Sequence, residues 1–85
     1  TWGSLHEIAQ KDEFDNANLN CKSLFIESYN NIVTMSDGKL VVVQGLEDFI
    51  VAESDKVLLI CKKSEEQRIK HFVMDVKFRF GEEFV

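Results

Sequence analysis

Apolar residues fall in five short clusters along the middle of the chain. The clusters begin about 8, 8, 9 and 8 positions apart, and polar turn-forming residues separate them. The five predicted strands are Leu24–Ile26, Ile32–Val33, Leu40–Val43, Phe49–Val51 and Val57–Cys61. Regular short strands at such spacing are typical of a compact β coil, a sandwich or a barrel.

The residues between the clusters indicate tight turns. Asp37-Gly38 favours a type I′ turn, because both central residues of that turn take positive φ, and Gly45 suits the same conformation. The third and fifth clusters are continuous apolar runs, so we expect both faces of these two strands to be covered.

Helical signals flank the strands on both sides. Before them, Ser4 with Glu7 three residues later forms a capping-box pattern, which predicts a short helix from Ser4 to Lys11. The segment 12–20 is rich in Asp and Asn, whose side chains favour turns, and it is predicted to be a loop.

After the strands, Ser64 and Gln67 form a second capping box, and the predicted helix runs from Ser64 to Phe80 with Gly81 as its stop. Its apolar residues fall on one face, at Ile69, Phe72, Val73, Val76 and Phe80. We expect this stripe to pack on the strands, with a partner protein as the alternative. The predicted organisation is one domain: a connecting helix and loop over 1–20, a β coil over 21–63 and a C-terminal helix over 64–81.

Length and charge limit the classes of partner. The chain has 85 residues, the size of one small domain, and a net charge of −5. An acidic surface argues against binding the phosphate backbone of nucleic acids or an anionic membrane. The longest apolar runs have four or five residues, whereas a membrane-spanning helix needs about 20. We therefore expect no nucleic acid and no membrane among the partners.

The two cysteines indicate a reducing compartment. Cys21 and Cys61 lie among apolar or strand-like neighbours and form no C-x-x-C motif. They are predicted to be buried, reduced thiols of a cytoplasmic protein. A disulfide is the alternative, and it requires Cα atoms within about 7 Å of each other.

The pattern contains no recognisable set of catalytic, cofactor-binding or metal-binding residues. His6 and His71 have no ligand at the spacing of a zinc site. An EF-hand loop counted from Asp15 fails, because its Gly and Glu positions hold Asn20 and Ile26. Nucleophile-elbow and phosphate-loop motifs are missing, and Cys61 lies in an apolar strand where a thiolate is disfavoured. The predicted site list is therefore empty for all three classes.

One segment resembles a known family. Lys39–Cys61 holds an apolar strand, Gly45-Leu46-Glu47-Asp48, an apolar triplet, a turn with Asp55 and a further apolar strand. This order resembles bacterial mannose-1-phosphate guanylyltransferases, in which a helix that begins with acidic residues and Gln follows, as at Ser64–Ile69. Asn30–Val33 resembles the short strand that precedes this element. Thr1-Trp2 resembles the end of the family's D-x-G-[ST]-W motif, so we expect the chain to be a piece of a longer polypeptide.

The resemblance implies both a fold and a parent activity. The family's C-terminal domain is similar to a left-handed parallel β-helix that takes part in subunit contacts, so the expected fold is mainly β, with short parallel strands coiled in that way between the two helices. The implied parent transfers GMP from GTP to mannose 1-phosphate, making GDP-mannose and pyrophosphate with the help of magnesium.

The primary hypothesis is that this chain is the non-catalytic C-terminal domain of such an enzyme, separated from its nucleotidyltransferase domain. Its partners would be its own catalytic domain and a second subunit in a dimer. We expect contacts through an exposed strand face and the last helix, with Phe49, Phe72 and Val76 among the contact residues. A stand-alone module that binds a protein through a sheet edge or the C-terminal helix is the alternative, and a small independent hydrolase or metal enzyme is a third.

Overall fold

The computed structural model describes residues 1–36 and 38–85. In these residues six strands lie between two α-helices in chain order: α1 (Trp2–Ile8), β1 (Ala17–Leu19), β2 (Lys22–Ile26), β3 (Ile32–Thr34), β4 (Leu40–Gln44), β5 (Phe49–Ser54), β6 (Val57–Lys62) and α2 (Ile69–Phe80). A 3₁₀ segment, Lys63–Arg68, joins β6 to α2, and a second one, Glu82–Phe84, follows α2. All five strands predicted from the apolar clusters are present.

The first five strands alternate between two sheets, so the chain winds as a coil. The first sheet has the order β1-β3-β5-β6 and the second has β2-β4. The pairs β1–β3, β3–β5 and β2–β4 are parallel, and the pair β5–β6 is antiparallel. Lys22 pairs with Leu40 and Ile32 with Ile50, an offset of 18 residues in each case. The expected coil of short parallel strands is confirmed.

Residues in the left-handed region of φ form the corners of the coil. The strand registers place these residues above one another in successive turns of the chain: Asp15, Asn30 and Asp48 at one corner, Asn20 and Gly38 at a second, and Glu27 and Gly45 at the third. Left-handed backbone costs a residue with a side chain about 1–2 kcal/mol, which explains why Gly, Asn and Asp are frequent here. The predicted turn at Asp37-Gly38 lies in part outside the described residues, because Asp37 is not described; Gly38 has φ of 63°.

Two apolar clusters lie on the two sides of the first sheet. Inside the coil, Val33 and Val51 pack with Val41 and Val43 of the second sheet. On the outer side, Ala17, Ile32 and Ile50 are fully buried beneath Trp2, Ala9 and Ile69. The helices therefore cover the outer side of the first sheet.

The predicted boundaries at the N-terminus were wrong in two places. The first helix begins at Trp2, and the Thr1 side chain, not that of Ser4, caps it by accepting a hydrogen bond from the Ser4 amide. The predicted loop over 12–20 contains β1, which pairs with β3. A three-residue strand with one apolar residue at each end, Ala17-Asn18-Leu19, is too short to show a period in the sequence.

The remaining differences concern α2 and strand coverage. The predicted helix from Ser64 begins as the 3₁₀ segment and becomes α-helical at Ile69. The expectation of two covered faces was wrong for β4 and β6, since alternate residues of both strands are more than half exposed: Leu40, Val42, Leu58 and Ile60. On β6 the exposed residues share a face with Val51, which pairs with Ile60. No helix among the described residues lies over the outer face of the second sheet.

Candidate interaction surfaces

Both ring nitrogens of His6 make polar contacts within the fold. His6 is buried, with Nε2 2.7 Å from the Asp15 carbonyl oxygen and Nδ1 2.8 Å from the Lys63 Nζ. The Lys63 ammonium also donates to the Asn30 side-chain oxygen at 3.2 Å. Burial lowers the pKa of Lys63, whereas the negative charge of the Asp48 carboxylate acts to raise it. This cluster joins α1 to the end of β6 and to a corner of the coil.

Metal-binding side chains do not converge in the described part of the chain. Residues 1–36 and 38–85 contain no group of three His, Cys, Asp or Glu side chains able to hold a metal ion. The magnesium ion implied by the family resemblance therefore has no fitting donor set in these residues.

No helix of the same residues is long and apolar enough to cross a membrane.

The cysteines are free thiols in different environments. Cys61 is buried and Cys21 is half-buried. Burial raises the pKa of the Cys61 thiol, and the nearby Glu65 carboxylate raises it further. A thiol that resists ionisation is a poor nucleophile, so Cys61 acts as an apolar packing residue.

The outer face of the second sheet carries an exposed apolar patch. It consists of Leu24 and Ile26 on β2 with Leu40 and Val42 on β4, which are between 41% and 65% exposed. Leu24 pairs directly with Val42 in the sheet register. The alternating side chains of β4, Val41 and Val43, are buried inside the coil. We call these four exposed residues the second-sheet patch.

Charged residues lie at the two ends of this patch. Lys22, at the start of β2, is exposed on the same face as Leu24. At the other end, the Glu27 carboxylate accepts a hydrogen bond from the Gln44 side chain at 3.1 Å. The patch is therefore apolar at its centre, positive where the strands begin and negative where they end.

A second apolar surface lies between α2 and the first sheet. A groove of about 430 Å³ is bounded by Trp2, by Ala52 and Leu59 of the sheet, and by Ile69, Phe72 and Val76 of α2. The Arg68 guanidinium lies over the Phe72 ring, 5.2 Å from its centre. No residue of α2 is buried, so the helix rests on the sheet with its apolar stripe partly open to solvent.

The predicted contact residues divide between these places. Phe72 and Val76 line the groove between α2 and the first sheet, and their contact with a partner stays a prediction. Phe49 is half-buried, and its amide donates to the Asn31 side-chain oxygen at 2.8 Å, so it belongs to a corner of the coil. The second-sheet patch was not singled out in the sequence. Alternation in Lys22-Ser23-Leu24-Phe25-Ile26 was the available signal. Both faces of this strand carry apolar side chains, however, so the alternation does not tell which face points outward.

Comparisons with known proteins agree on one family. The model of the MannoseP isomerase/GMP-like beta-helix domain matches residues 22–76. The chain is 33% identical over 76 residues to the alginate biosynthesis protein AlgA of Pseudomonas aeruginosa, covering 89% of this chain and 15% of AlgA. It is 29% identical over 87 residues to mannose-1-phosphate guanylyltransferase 2 of Escherichia coli O157:H7, covering the whole chain and 17% of that protein.

A solved structure shares the fold. The crystal structure described as mannose-1-phosphate geranyltransferase from Thermus thermophilus superposes with a TM-score of 0.75 at 18% identity, covering 89% of this chain and 23% of that one. The chain thus spans about a sixth of the curated relatives it matches and about a quarter of the solved one.

Proposed function

Because the chain belongs to the MannoseP isomerase/GMP-like beta-helix domain family, we propose that it is the non-catalytic β-helix domain of a mannose-1-phosphate guanylyltransferase. The parent enzyme would convert GTP and mannose 1-phosphate to GDP-mannose and pyrophosphate. In this proposal the domain braces the catalytic domain and supports dimerisation. The observation that carries it is the family match over residues 22–76, which includes β2 to β6 and most of α2.

The chemistry of the described residues supports a non-catalytic role. Transfer of a nucleotidyl group between phosphates requires a cation and donors aimed at the phosphate oxygens. The described residues offer no donor set for the cation, and the net charge of −5 opposes the binding of phosphates. Magnesium, GTP and the sugar phosphate would therefore bind to another part of the parent enzyme, in the cytoplasm expected from the free thiols.

Bracing is supported by the way α1 is held. The Glu66 carboxylate accepts hydrogen bonds from the amides of Trp2 and Gly3, at 2.5 and 3.3 Å. Trp2 also packs on the cluster of Ala17, Ile32 and Ile50. The first turn of α1 is thus fixed to the 3₁₀ segment and to the first sheet. A domain joined ahead of Thr1 would be carried by a rigid helix.

The test compares the natural polypeptide that contains this chain with a version lacking residues 1–85 and with the isolated chain. We expect the natural polypeptide to form GDP-mannose from GTP and mannose 1-phosphate, and the isolated chain to form none. The deletion is expected to lower the thermal midpoint of the catalytic part. Turnover by the isolated chain would contradict the division of labour.

A stand-alone interaction module is the second candidate. The observation that favours it is the outer edge of β4, which in the described part of the chain pairs only with β2 and leaves one side open to a strand from another protein. A natural polypeptide that forms no GDP-mannose and begins at this domain would favour the module over the enzyme.

A further inference from the structure

A polar cleft lies where the end of β6 meets a corner of the coil. It has a volume of about 500 Å³, and its lining includes Asn30 and Asp48 of the corner with Lys62 and Lys63 beside them. Lys63 is half-buried, and its Nζ lies 2.8 Å from Nδ1 of the buried His6. A primary amine that lines a cleft and contacts an imidazole has both parts of an activated nucleophile, the attacking group and its base.

The contacts of His6 determine which ring nitrogen carries the proton. The ammonium of Lys63 only donates hydrogen bonds, so the Nδ1 that faces it must accept one. We therefore assign the ring proton to Nε2, which donates to the Asp15 carbonyl oxygen at 2.7 Å. This tautomer holds an unprotonated nitrogen against the Lys63 amine, where it can take a proton from that amine.

Burial and three charged groups determine how readily Lys63 loses its proton. Burial has the largest effect and lowers the pKa of Lys63. The Asp48 and Asp15 carboxylates act to raise this pKa, and the Lys11 ammonium acts to lower it. The net direction is downward, which enriches the neutral amine, and only a neutral amine attacks an electrophile.

The surroundings also orient the neutral amine. It has two N–H groups, and two acceptors lie within reach: Nδ1 of His6 at 2.8 Å and the Asn30 side-chain oxygen at 3.2 Å. When both N–H groups are bonded to these acceptors, the lone pair of Nζ remains for a carbonyl carbon that enters the cleft.

We propose that Lys63 forms a Schiff base with a small, uncharged hydroxyaldehyde. The Nζ lone pair attacks the aldehyde carbon, and the π electrons of the carbonyl move to its oxygen. Nδ1 of His6 relays the two amine protons in turn to that oxygen, which leaves as water while the nitrogen forms the C=N bond. The products are an imine and one water molecule, so the reaction needs neither an oxidant nor a second reactant.

The lining of the cleft favours this class of aldehyde. The carboxylates of Glu47 and Asp48 oppose an anionic ligand and can accept hydrogen bonds from hydroxyl groups. The Lys62 ammonium and the Ser64 hydroxyl can donate to hydroxyl oxygens. A three-carbon hydroxyaldehyde such as glyceraldehyde fits within the volume of about 500 Å³.

Schiff-base formation would change the contact between α1 and the end of β6. An imine nitrogen carries at most one N–H group, so Lys63 could no longer donate to both His6 and Asn30. This covalent binding is separate from nucleotidyl transfer and does not depend on the activity of the parent enzyme.

The test labels the natural polypeptide that contains this chain. The protein is incubated with glyceraldehyde and sodium cyanoborohydride near neutral pH, and tandem mass spectrometry locates the reduced adducts. Lys62 is the matched control, because it lines the same cleft, is exposed and lies next to Lys63 in the chain. We expect Lys63 to react at least about fivefold faster than Lys62. In concentrated urea the ratio of the two rates should fall to within about twofold of one, because unfolding removes the cleft.

Two further comparisons separate the base from the ligand. His6→Asn keeps an acceptor for Lys63 but cannot carry a proton, so the Lys63-to-Lys62 ratio should fall to within about twofold of one. Propanal has the three carbons of glyceraldehyde without its hydroxyl groups, and its ratio should be at least about threefold lower. Circular dichroism melts verify that the variant folds, and the comparison in urea uses the unaltered chain and so does not depend on the variant.

Each comparison can overturn the inference. A Lys63 rate no higher than that of Lys62 would show that the hydrogen bonds to His6 and Asn30 protect the amine instead of activating it. A ratio that persists in folded His6→Asn would reject the proton relay, and equal ratios for the two aldehydes would reject the hydroxyaldehyde as ligand. None of these results bears on GDP-mannose formation, which is measured separately.

Discussion

At the scale of single residues, Asn16 and Asn31 form a buried, hydrogen-bonded corner of the coil. Asn31 is fully buried. Its amide group donates to the Asn16 side-chain oxygen at 3.0 Å and to the Leu46 carbonyl at 2.8 Å, and its oxygen accepts from the Phe49 amide. The Asn16 side chain in turn donates to the Ser28 carbonyl at 2.8 Å. These side chains bond to backbone groups at the turns, among them the Phe49 amide and the Ser28 carbonyl.

Removing this side chain should therefore be costly. We expect Asn31→Ala to lower the free energy of unfolding by about 3 kcal/mol, because the half-buried Phe49 amide loses its partner and the Leu46 carbonyl and the Asn16 side chain each lose one hydrogen bond. Urea denaturation measures the change. Asn18→Ala is the control, since Asn18 is exposed and bonds only the Ser23 hydroxyl among the contacts seen for its side chain; it should cost less than about 1 kcal/mol. Equal losses in the two variants would contradict the assigned role.

At the scale of elements, one carboxylate joins β5 to the segment that leads into β4. Glu53 accepts hydrogen bonds from the Lys39 ammonium at 2.6 Å and from the Ser36 hydroxyl at 2.7 Å. These two bonds lower the pKa of Glu53 to about 2. An unfolded glutamate titrates near its ordinary value of 4.5, so the folded state binds its proton less readily than the unfolded state does.

The sign of the pH dependence follows from this difference. The stabilisation from Glu53 is complete above the unfolded pKa and is lost as the pH falls from about 5 towards 2. We expect Glu53→Gln to be less stable than the original at pH 6, with a smaller further loss on acidification to about pH 2. Thermal melts across this range measure the slope.

Glu83→Gln is the matched control for this slope. Glu83 pairs with Lys56, but both side chains are more than half exposed, and exposed pairs contribute little. The slope of this variant should equal that of the original chain. An unchanged slope in Glu53→Gln would show that the bonds to Ser36 and Lys39 do not control the acid response.

Two side chains of the 3₁₀ segment connect α1 to the rest of the chain. Glu66 and Lys63, both in the 3₁₀ segment, bind the first turn of α1 and His6 respectively. The sequence separation is 64 residues in the first contact and 57 in the second. Helix α1 is thus fastened to the segment between β6 and α2, while the described residues leave the outer face of the second sheet uncovered.

At the scale of the whole molecule, α2 presents different environments on its two sides. Phe72 lines the groove over the first sheet, whereas Phe78 is 92% exposed. We expect Phe72→Ala to lower the free energy of unfolding by about 1–2 kcal/mol through lost apolar contact, and Phe78→Ala by less than about 0.5 kcal/mol. Urea denaturation of the two variants, with the same aromatic ring removed from the same helix, tests the packing. Equal losses would mean that α2 does not rest on the sheet by this stripe.

The apolar stripe of α2 predicted only in part which side of the helix meets the sheet. The sequence places Phe72 and Val76 on one face, and the structure confirms that this face lies towards the strands. The exposed Met74 and Phe78 lie on other faces of α2. Phe80, which the sequence placed on the same stripe, is 65% exposed and its ring contacts Phe84, so helical spacing identified only part of the side that meets the sheet.

Local chemistry determined where the elements lie. The apolar clusters predicted five strands, since a buried strand needs apolar side chains within a few residues, and Asp37-Gly38 and Gly45 predicted turns in which φ is positive. The Gly45–Asp48 element with its neighbouring strands was enough to suggest the family. These features depend on residues close together in the sequence, where one side chain constrains the next.

Tertiary structure alone decided which side of each strand is covered. Leu24 and Val42 are as apolar as Val41 and Val43, yet the first pair is exposed and the second buried, because the winding of the coil encloses one face and nothing described covers the other. β1 forms because β3, 15 residues later, offers it a partner. Burial is a property of the space between distant segments, so a pattern along the chain supplies the apolar residues but not the faces that they meet.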